Sequence, residues 1–194
     1  AALLGCAVPT GAGIIDSSGV KSGQKLAVFG IGGIGASALM RAAALGINCI
    51  AFDVQQWKLD WVENNLGVTA FYSGKFCHQG FFDFAIECSG DKSAMEMAFE
   101  RLNNSGTAII AGNLEPGEKI SIDPFELVKG KKLRGTWGGE CFLDRDVSFY
   151  VFECLNSDFP IEKLITKVYS FDQINQGLKD LENGKLIRGI VKIS

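Results

Sequence analysis

The sequence predicts an α/β protein with a doubly wound, mostly parallel sheet and helices on both faces. Short apolar runs alternate with longer helix-forming segments, a pattern typical of a parallel sheet covered on both sides. The first apolar run leads directly into a glycine-rich turn and a helix. The second apolar run ends in an acid, Asp53. These three observations together favour this fold class over an all-α or all-β arrangement.

The order of the elements follows from periodicity and from residues that end helices. The predicted strands are 25–29, 48–52, 68–72, 81–88, 106–111 and 132–137, with a short β-like stretch at 119–122. The predicted helices are 33–45, 55–66, 93–102 and 123–128. Gly46 and Gly67 end the first two helices, and Asp123-Pro124 opens the last. After Gly138-Gly139 the character of the sequence changes, and we expect helices at 144–155 and 171–181 with strands at 164–168 and 187–193.

The connection between the third and fourth predicted strands is unusually short. Only residues 73–80 are available there, whereas a parallel crossover usually carries a helix of a dozen or more residues. We therefore expect this helix to be absent or reduced to a turn. Cys77 and His78 fall in the same stretch, and we interpret them as part of a surface loop rather than as a catalytic pair.

Composition excludes several classes of protein. Hydrophobic residues make up 47% and charged residues 21%, with a net charge of -3, so a broad basic surface for nucleic acid is not expected. No apolar run approaches the roughly 20 residues of a membrane span. The six cysteines include no CxxC spacing, which favours reduced thiols, a cytoplasmic location and no self-contained zinc site.

The glycine-rich turn has the spacing G-x-G-x-x-G of a dinucleotide-binding motif, and this context predicts a Rossmann fold. Gly30 permits the tight turn, Gly32 lets backbone approach a pyrophosphate, and Gly35 allows close helix–strand packing. The motif consists of Gly30, Ile31, Gly32, Gly33, Ile34 and Gly35. Asp53 follows 18 residues after Gly35 and can accept hydrogen bonds from the adenosine ribose while repelling a 2′-phosphate. The predicted cofactor is therefore NAD rather than NADP.

With these motifs, nearly all of the chain resembles the cofactor-binding half of the medium-chain, zinc-type alcohol dehydrogenases. The segment 3–13 is similar to the end of that family's catalytic domain and the start of its linking helix. The resemblance implies that Cys6 is a zinc ligand in a full-length enzyme and that Thr10 lies against the nicotinamide. It also implies that Lys58 pairs with Asp53 at the adenosine ribose.

The same resemblance extends to the loops after later strands. Glu87-Cys88-Ser89-Gly90 and Ala111-Gly112-Asn113 match loops that border the nicotinamide, and Arg188 matches an arginine that reaches the pyrophosphate. The segment 135–139 is similar to a sixth strand that pairs across a homodimer. The resemblance thus implies cofactor contacts from Cys88, Ser89, Gly90, Ala111, Gly112, Asn113 and Arg188.

The resemblance also sets an expected domain organisation and activity. We expect residues 1–9 to end a truncated catalytic domain, 10–139 to form the NAD-binding domain, and 140–194 to return to the catalytic domain. The expected function is hydride transfer between an alcohol or polyol and NAD, with this chain binding cofactor but lacking most of the catalytic site and its zinc. Two alternatives stay open: a zinc-free quinone or enoyl reductase of the same superfamily, and a non-catalytic module that senses NAD and NADH.

Overall fold

A computed structural model describes residues 1–74 and 80–193. Six parallel strands form one sheet in the order β3-β2-β1-β4-β5-β6, which is the doubly wound arrangement predicted from the sequence. The strands are β1 (Lys25–Phe29), β2 (Asn48–Asp53), β3 (Thr69–Tyr72), β4 (Phe82–Glu87), β5 (Leu102–Ile110) and β6 (Lys132–Gly135). Because the chain builds outward from β1 on one side and resumes at β4 on the other, the strand order reverses between β1 and β4.

Seven α-helices accompany these strands in the described residues. They are α1 (Ala7–Ser18), α2 (Gly33–Ala44), α3 (Gln56–Leu66), α4 (Lys92–Glu100), α5 (Pro124–Val128), α6 (Leu143–Asn156) and α7 (Ile174–Glu182). Short 3₁₀ segments lie at Ala2–Gly5, Gly138–Glu140, Ile161–Leu164 and Phe171–Gln173. A second, two-stranded parallel sheet pairs β7 (Ile165–Ser170) with β8 (Arg188–Lys192).

Apolar side chains fill both faces of the large sheet. On one face, Val28, Leu39 and Ile86 are fully buried in the larger core cluster. On the other face, the rings of Phe29 and Phe52 stack with centroids 4.7 Å apart. Each such side chain contributes about 1.5–3 kcal/mol when it is fully removed from water. This rigid two-sided core fixes the positions of the strand ends.

The larger core cluster draws on both ends of the chain. Leu3 near the amino terminus and Tyr150, Phe159 and Ile187 in the later part share it with the central sheet. The division at residues 9 and 139 stays a prediction, since shared packing does not mark where a domain begins.

Some predicted boundaries differ from those of the structure. Residues 119–122 form no strand, because the Ser121 N–H donates 2.8 Å to the Glu96 carboxylate instead of to a neighbouring strand. Strand β5 begins at Leu102 rather than at 106, with a register shift opposite Phe82 and Phe84. Strand β6 ends at Gly135 instead of 137. The helix predicted at 171–181 starts as a 3₁₀ turn with a Ser170–Gln173 capping box before α7.

The short connection after β3 is only partly described. Residues 75–79, including Cys77 and His78, lie outside the described residues, so the prediction of a reduced crossover and a surface loop is not tested. Within the described part of the chain, no helix combines the length and the apolar character needed to cross a membrane.

Candidate cofactor-binding site

The carboxyl ends of the central strands lie level at one edge of the sheet. Phe29, the last residue of β1, is in register with Phe52 of β2 and with Glu87, the last residue of β4. The loops that follow these strands therefore meet at one edge, where ligands of open α/β sheets bind.

The glycine-rich turn after β1 requires glycine at two of its positions. Gly30 has a φ of 88°, and a Cβ there would lie 2.7 Å from the Ser89 backbone nitrogen in the loop after β4. A Cβ on Gly35 would collide with the Gly30 carbonyl oxygen. These contacts bring the turn, the first turn of α2 and the loop after β4 into close approach.

Gly32 differs from these neighbours because a Cβ there would meet no atom within 4 Å. It is the N-cap of α2, with an extended backbone. The first N–H groups of a helix have no acceptor within the helix, and the helix dipole makes this end partly positive. Gly32 therefore borders open space next to backbone donors suited to an anion.

Arg188 adds a positive charge at the same point. It is the first residue of β8, and its guanidinium lies so close to Gly33 that a Cβ there would collide with it. Its Nε atom is buried and has no hydrogen-bond partner within the described residues. The structure thus brings Arg188 to the start of α2, although the two are far apart in the sequence.

Asp53 is buried at the end of β2 and bonds to the glycine-rich turn. Its carboxylate accepts hydrogen bonds from the backbone N–H of Ile31 at 2.6 Å and of Gln55 at 2.8 Å. The Ile31 side chain is fully buried, and the Ile34 carbonyl packs against Gly11 of α1. Asp53 therefore stabilises the conformation of the glycine-rich turn, and its side chain also faces the carboxyl edge of the sheet.

A pocket of about 140 Å³ lies beside Asp53, between the ends of four strands. Five of its eight residues were not predicted as site residues from the sequence. Val54, Ser73 and Asp91 each follow a strand closely or directly, and the other two are Phe29 and Ala94. The pocket is lined by Phe29, Gly30, Asp53, Val54, Ser73, Ser89, Asp91 and Ala94.

Lys58 does not line this pocket. It is buried on α3, and its ammonium lies over the Trp57 ring, 5.8 Å from the centroid. The Trp57 indole N–H in turn donates to the Gly184 carbonyl at 3.1 Å. The pairing of Lys58 with Asp53 at the adenosine ribose stays a prediction.

The loops after β4 and β5 pack against each other. A Cβ on Gly90 would lie 2.7 Å from the Asn113 carbonyl oxygen, and the N–H groups of Ala111 and Gly112 donate to the Glu87 carbonyl. Cys88 is half-buried with its Cβ turned toward Gly35. The predicted residues of both loops are thus gathered on the β4–β5 side of the cleft.

Thr10 and Cys6 belong to the amino-terminal helix region. The Thr10 carbonyl lies against Gly139, and its neighbour Gly11 contacts the first turn of α2, so Thr10 is close to the glycine-rich turn. Cys6 is exposed at the N-cap of α1. No cluster of three or more His, Cys, Asp or Glu side chains able to hold a metal ion exists in residues 1–74 and 80–193.

A family model described as "Zinc-binding dehydrogenase" matches residues 33–156, which is more than half of the chain. The chain belongs to the zinc-binding dehydrogenase family. The resemblance inferred from the sequence is therefore confirmed, as is the fold class.

Several relatives of this zinc-binding dehydrogenase chain are curated or structurally known. Alcohol dehydrogenase class-3 of Zea mays is 32% identical over 97% of the chain and 53% of the relative. S-(hydroxymethyl)glutathione dehydrogenase of Komagataella pastoris is 30% identical over 97% of the chain and 54% of the relative. The crystal structure of benzyl alcohol dehydrogenase from Acinetobacter calcoaceticus is similar, with a TM-score of 0.91 and 26% identity over 98% of the chain and 56% of that protein. The chain spans about half the length of the curated relatives it matches.

Proposed function

We propose that this chain binds NAD(H) along the carboxyl edge of its sheet. The observation that carries the proposal is the juxtaposition at the start of α2, where Gly32 faces open space and the next residue, Gly33, contacts the Arg188 guanidinium, whose buried Nε has no hydrogen-bond partner among the described residues. Free backbone donors and a guanidinium are the groups that bind a pyrophosphate. A neutral or cationic ligand would supply no counter-charge to this half-buried guanidinium.

The remaining predicted residues divide between the two ends of the dinucleotide. Asp53 faces the adenosine ribose, where a carboxylate favours free hydroxyls over a 2′-phosphate. Lys58 is proposed as its partner. The nicotinamide end lies on the β4–β5 side, with contacts proposed from Thr10, Cys88, Ser89, Gly90, Ala111, Gly112 and Asn113.

The relatives named above suggest the reaction of the protein to which this chain belongs. We propose hydride transfer between an alcohol and NAD, in which the bound nicotinamide supplies the hydride acceptor. The residues of this chain hold the dinucleotide and orient its nicotinamide end. Cys6 is exposed and belongs to no group of three or more ligating side chains among the described residues, so a zinc site needs ligands from outside them.

Three further properties are proposed for the full-length protein. Zinc held in part by Cys6 is tested by metal analysis of wild type against Cys6→Ser. A homodimer paired through β6, an edge strand of the large sheet, is tested by sedimentation velocity. A cytoplasmic location accords with the free thiols of the five described cysteines and is tested by cell fractionation.

Titration calorimetry of the 194-residue chain tests cofactor choice. We expect NADH to bind more tightly than NADPH, and Asp53→Gly to lower the ratio of the two affinities by about tenfold, or about 1.4 kcal/mol. The ratio of the NADH and NADPH affinities is the readout, because loss of the hydrogen bonds from Ile31 and Gln55 lowers the affinity for both cofactors alike. Asp60→Gly, on the exposed face of α3, is the control.

Two results would count against this assignment. A wild-type chain that binds neither cofactor contradicts the proposed function as a whole. An unchanged affinity ratio in Asp53→Gly contradicts only the role of Asp53 at the ribose.

A further inference from the structure

A carboxyl group is buried at the end of β4 without being part of any ion pair in the described residues. Glu87 is fully buried, and its Oε1 atom accepts three hydrogen bonds. These come from the Ser89 N–H at 2.5 Å, the Ser89 hydroxyl at 2.5 Å and the Gly90 N–H at 2.9 Å. Its Oε2 atom is buried without a hydrogen-bond partner in residues 1–74 and 80–193.

The same residue ties together the loops after β4 and β5. Its main-chain carbonyl accepts from Ala111 N–H at 2.8 Å and Gly112 N–H at 3.1 Å. Its Oε2 atom would lie 2.5 Å from a Cβ on Gly112. Glu87 therefore contacts the 88–90 loop through one carboxyl oxygen and approaches the 111–113 loop with the other.

Burial of this carboxyl is unfavourable by itself. Desolvation raises the pKa of Glu87, opposed by its hydrogen bonds to Ser89 and Gly90. A buried polar group left partly unsatisfied costs about 1–3 kcal/mol, whereas an apolar residue would pack there without this cost. Ala85, on the same face of β4 two residues earlier, is such a residue. The burial of a carboxyl at the end of the strand therefore calls for a role other than packing.

We propose that Glu87 is a positioning residue for the nicotinamide half of the bound cofactor, through its hold on loops 88–90 and 111–113. This inference rests on the proposed function. A doubly wound sheet has two mononucleotide-binding halves, and Asp53 marks the adenosine half on the β2 side of the point where strand order reverses. Glu87 lies on the other side of that point, so it acts mainly on the nicotinamide end, although Ser89 also lines the pocket beside Asp53.

The test compares NADH with ADP-ribose, which lacks the nicotinamide. For Glu87→Ala we expect the NADH affinity to fall about tenfold, with the ADP-ribose affinity changed less than about twofold. Glu87→Gln keeps an oxygen acceptor and is expected to stay within about threefold of wild type for both ligands. Leu102→Ala, at the buried first residue of β5 and so at the opposite end of that strand from loop 111–113, is the stability control: it lowers the melting temperature but leaves the affinity ratio unchanged.

Hydrogen exchange provides a measurement that does not depend on the folding of a variant. In the wild type, the amides of Ser89 and Gly90 should be protected, because both donate to the buried carboxyl. Unprotected amides, equal losses of NADH and ADP-ribose affinity in Glu87→Ala, or a Glu87→Gln variant as weak as Glu87→Ala each overturn the inference. A wild-type chain that binds neither ligand overturns the proposed function and this inference with it.

Discussion

Replacing Gly32 with alanine is expected to weaken NADH binding by about tenfold or more without unfolding the chain. The added methyl group meets no protein atom within 4 Å, and the extended backbone at this position accepts any residue. It projects instead into the space proposed for the pyrophosphate, where glycine allows the closest approach of backbone. Calorimetry measures the affinity, and thermal unfolding checks that the fold is unchanged.

Two other glycines serve as controls for Gly32→Ala. Gly5→Ala adds the same methyl group to open space away from the cleft and should leave NADH affinity unchanged. Gly35→Ala should lower the melting temperature, because its Cβ would collide with the Gly30 carbonyl. A Gly32→Ala chain that binds NADH as well as the wild type would show that no ligand occupies this space.

Replacing Arg188 with leucine is expected to weaken NADH binding by about 10- to 100-fold, the value of one charge-assisted hydrogen-bonding group at about 1.5–3 kcal/mol. The guanidinium lies against Gly33 with its Nε buried and lacking a partner among the described residues. It is therefore available for an anion at the first turn of α2. Calorimetry at two salt concentrations measures the effect, since loss of the charge should also reduce the salt dependence of binding.

The opposite end of the same strand supplies the control for Arg188→Leu. Lys192→Leu removes a positive charge from the exposed end of β8 and should change NADH affinity little. Arg188→Lys keeps the charge but not the planar fork, and an intermediate affinity is expected. Equal NADH affinities for Arg188→Leu and Lys192→Leu would exclude Arg188 from the site.

Much of the fold follows from local sequence. Apolar runs mark β1, which lies between Gly23 and Gly30, and β2, which follows Gly46 and ends at Asp53. The Asp123-Pro124 pair marks the start of α5, where the Asp123 carboxylate accepts from the Phe125 N–H. The start of β5 could not be predicted in this way, because it depends on the pairing of Leu102 with Phe82 across a register shift. The start of such a strand is decided by its pairing with a segment distant in the sequence. The periodicity of apolar residues within one segment carries no information about that pairing.

The candidate site likewise contains features that local sequence predicts and features that depend on the folded structure. The glycine-rich turn and Asp53 were predictable because their spacing is itself the signal. The hydrogen bond from Ile31 to Asp53 and the hold of Glu87 on two loops were not, because they depend on side-chain direction at the end of a folded strand. For Glu87 the available signal was an acid ending an otherwise apolar run, which a single sequence cannot distinguish from a solvated residue.

A crystal structure of the chain with NADH tests the central claim most directly. The pyrophosphate should lie at Gly32, within hydrogen-bond distance of the first N–H groups of α2 and of the Arg188 guanidinium. The adenosine ribose should face Asp53, and the nicotinamide should lie beside loops 88–90 and 111–113. A complex with the pyrophosphate away from Gly32, or crystals that hold no NADH at saturating concentration, would contradict this account of the site.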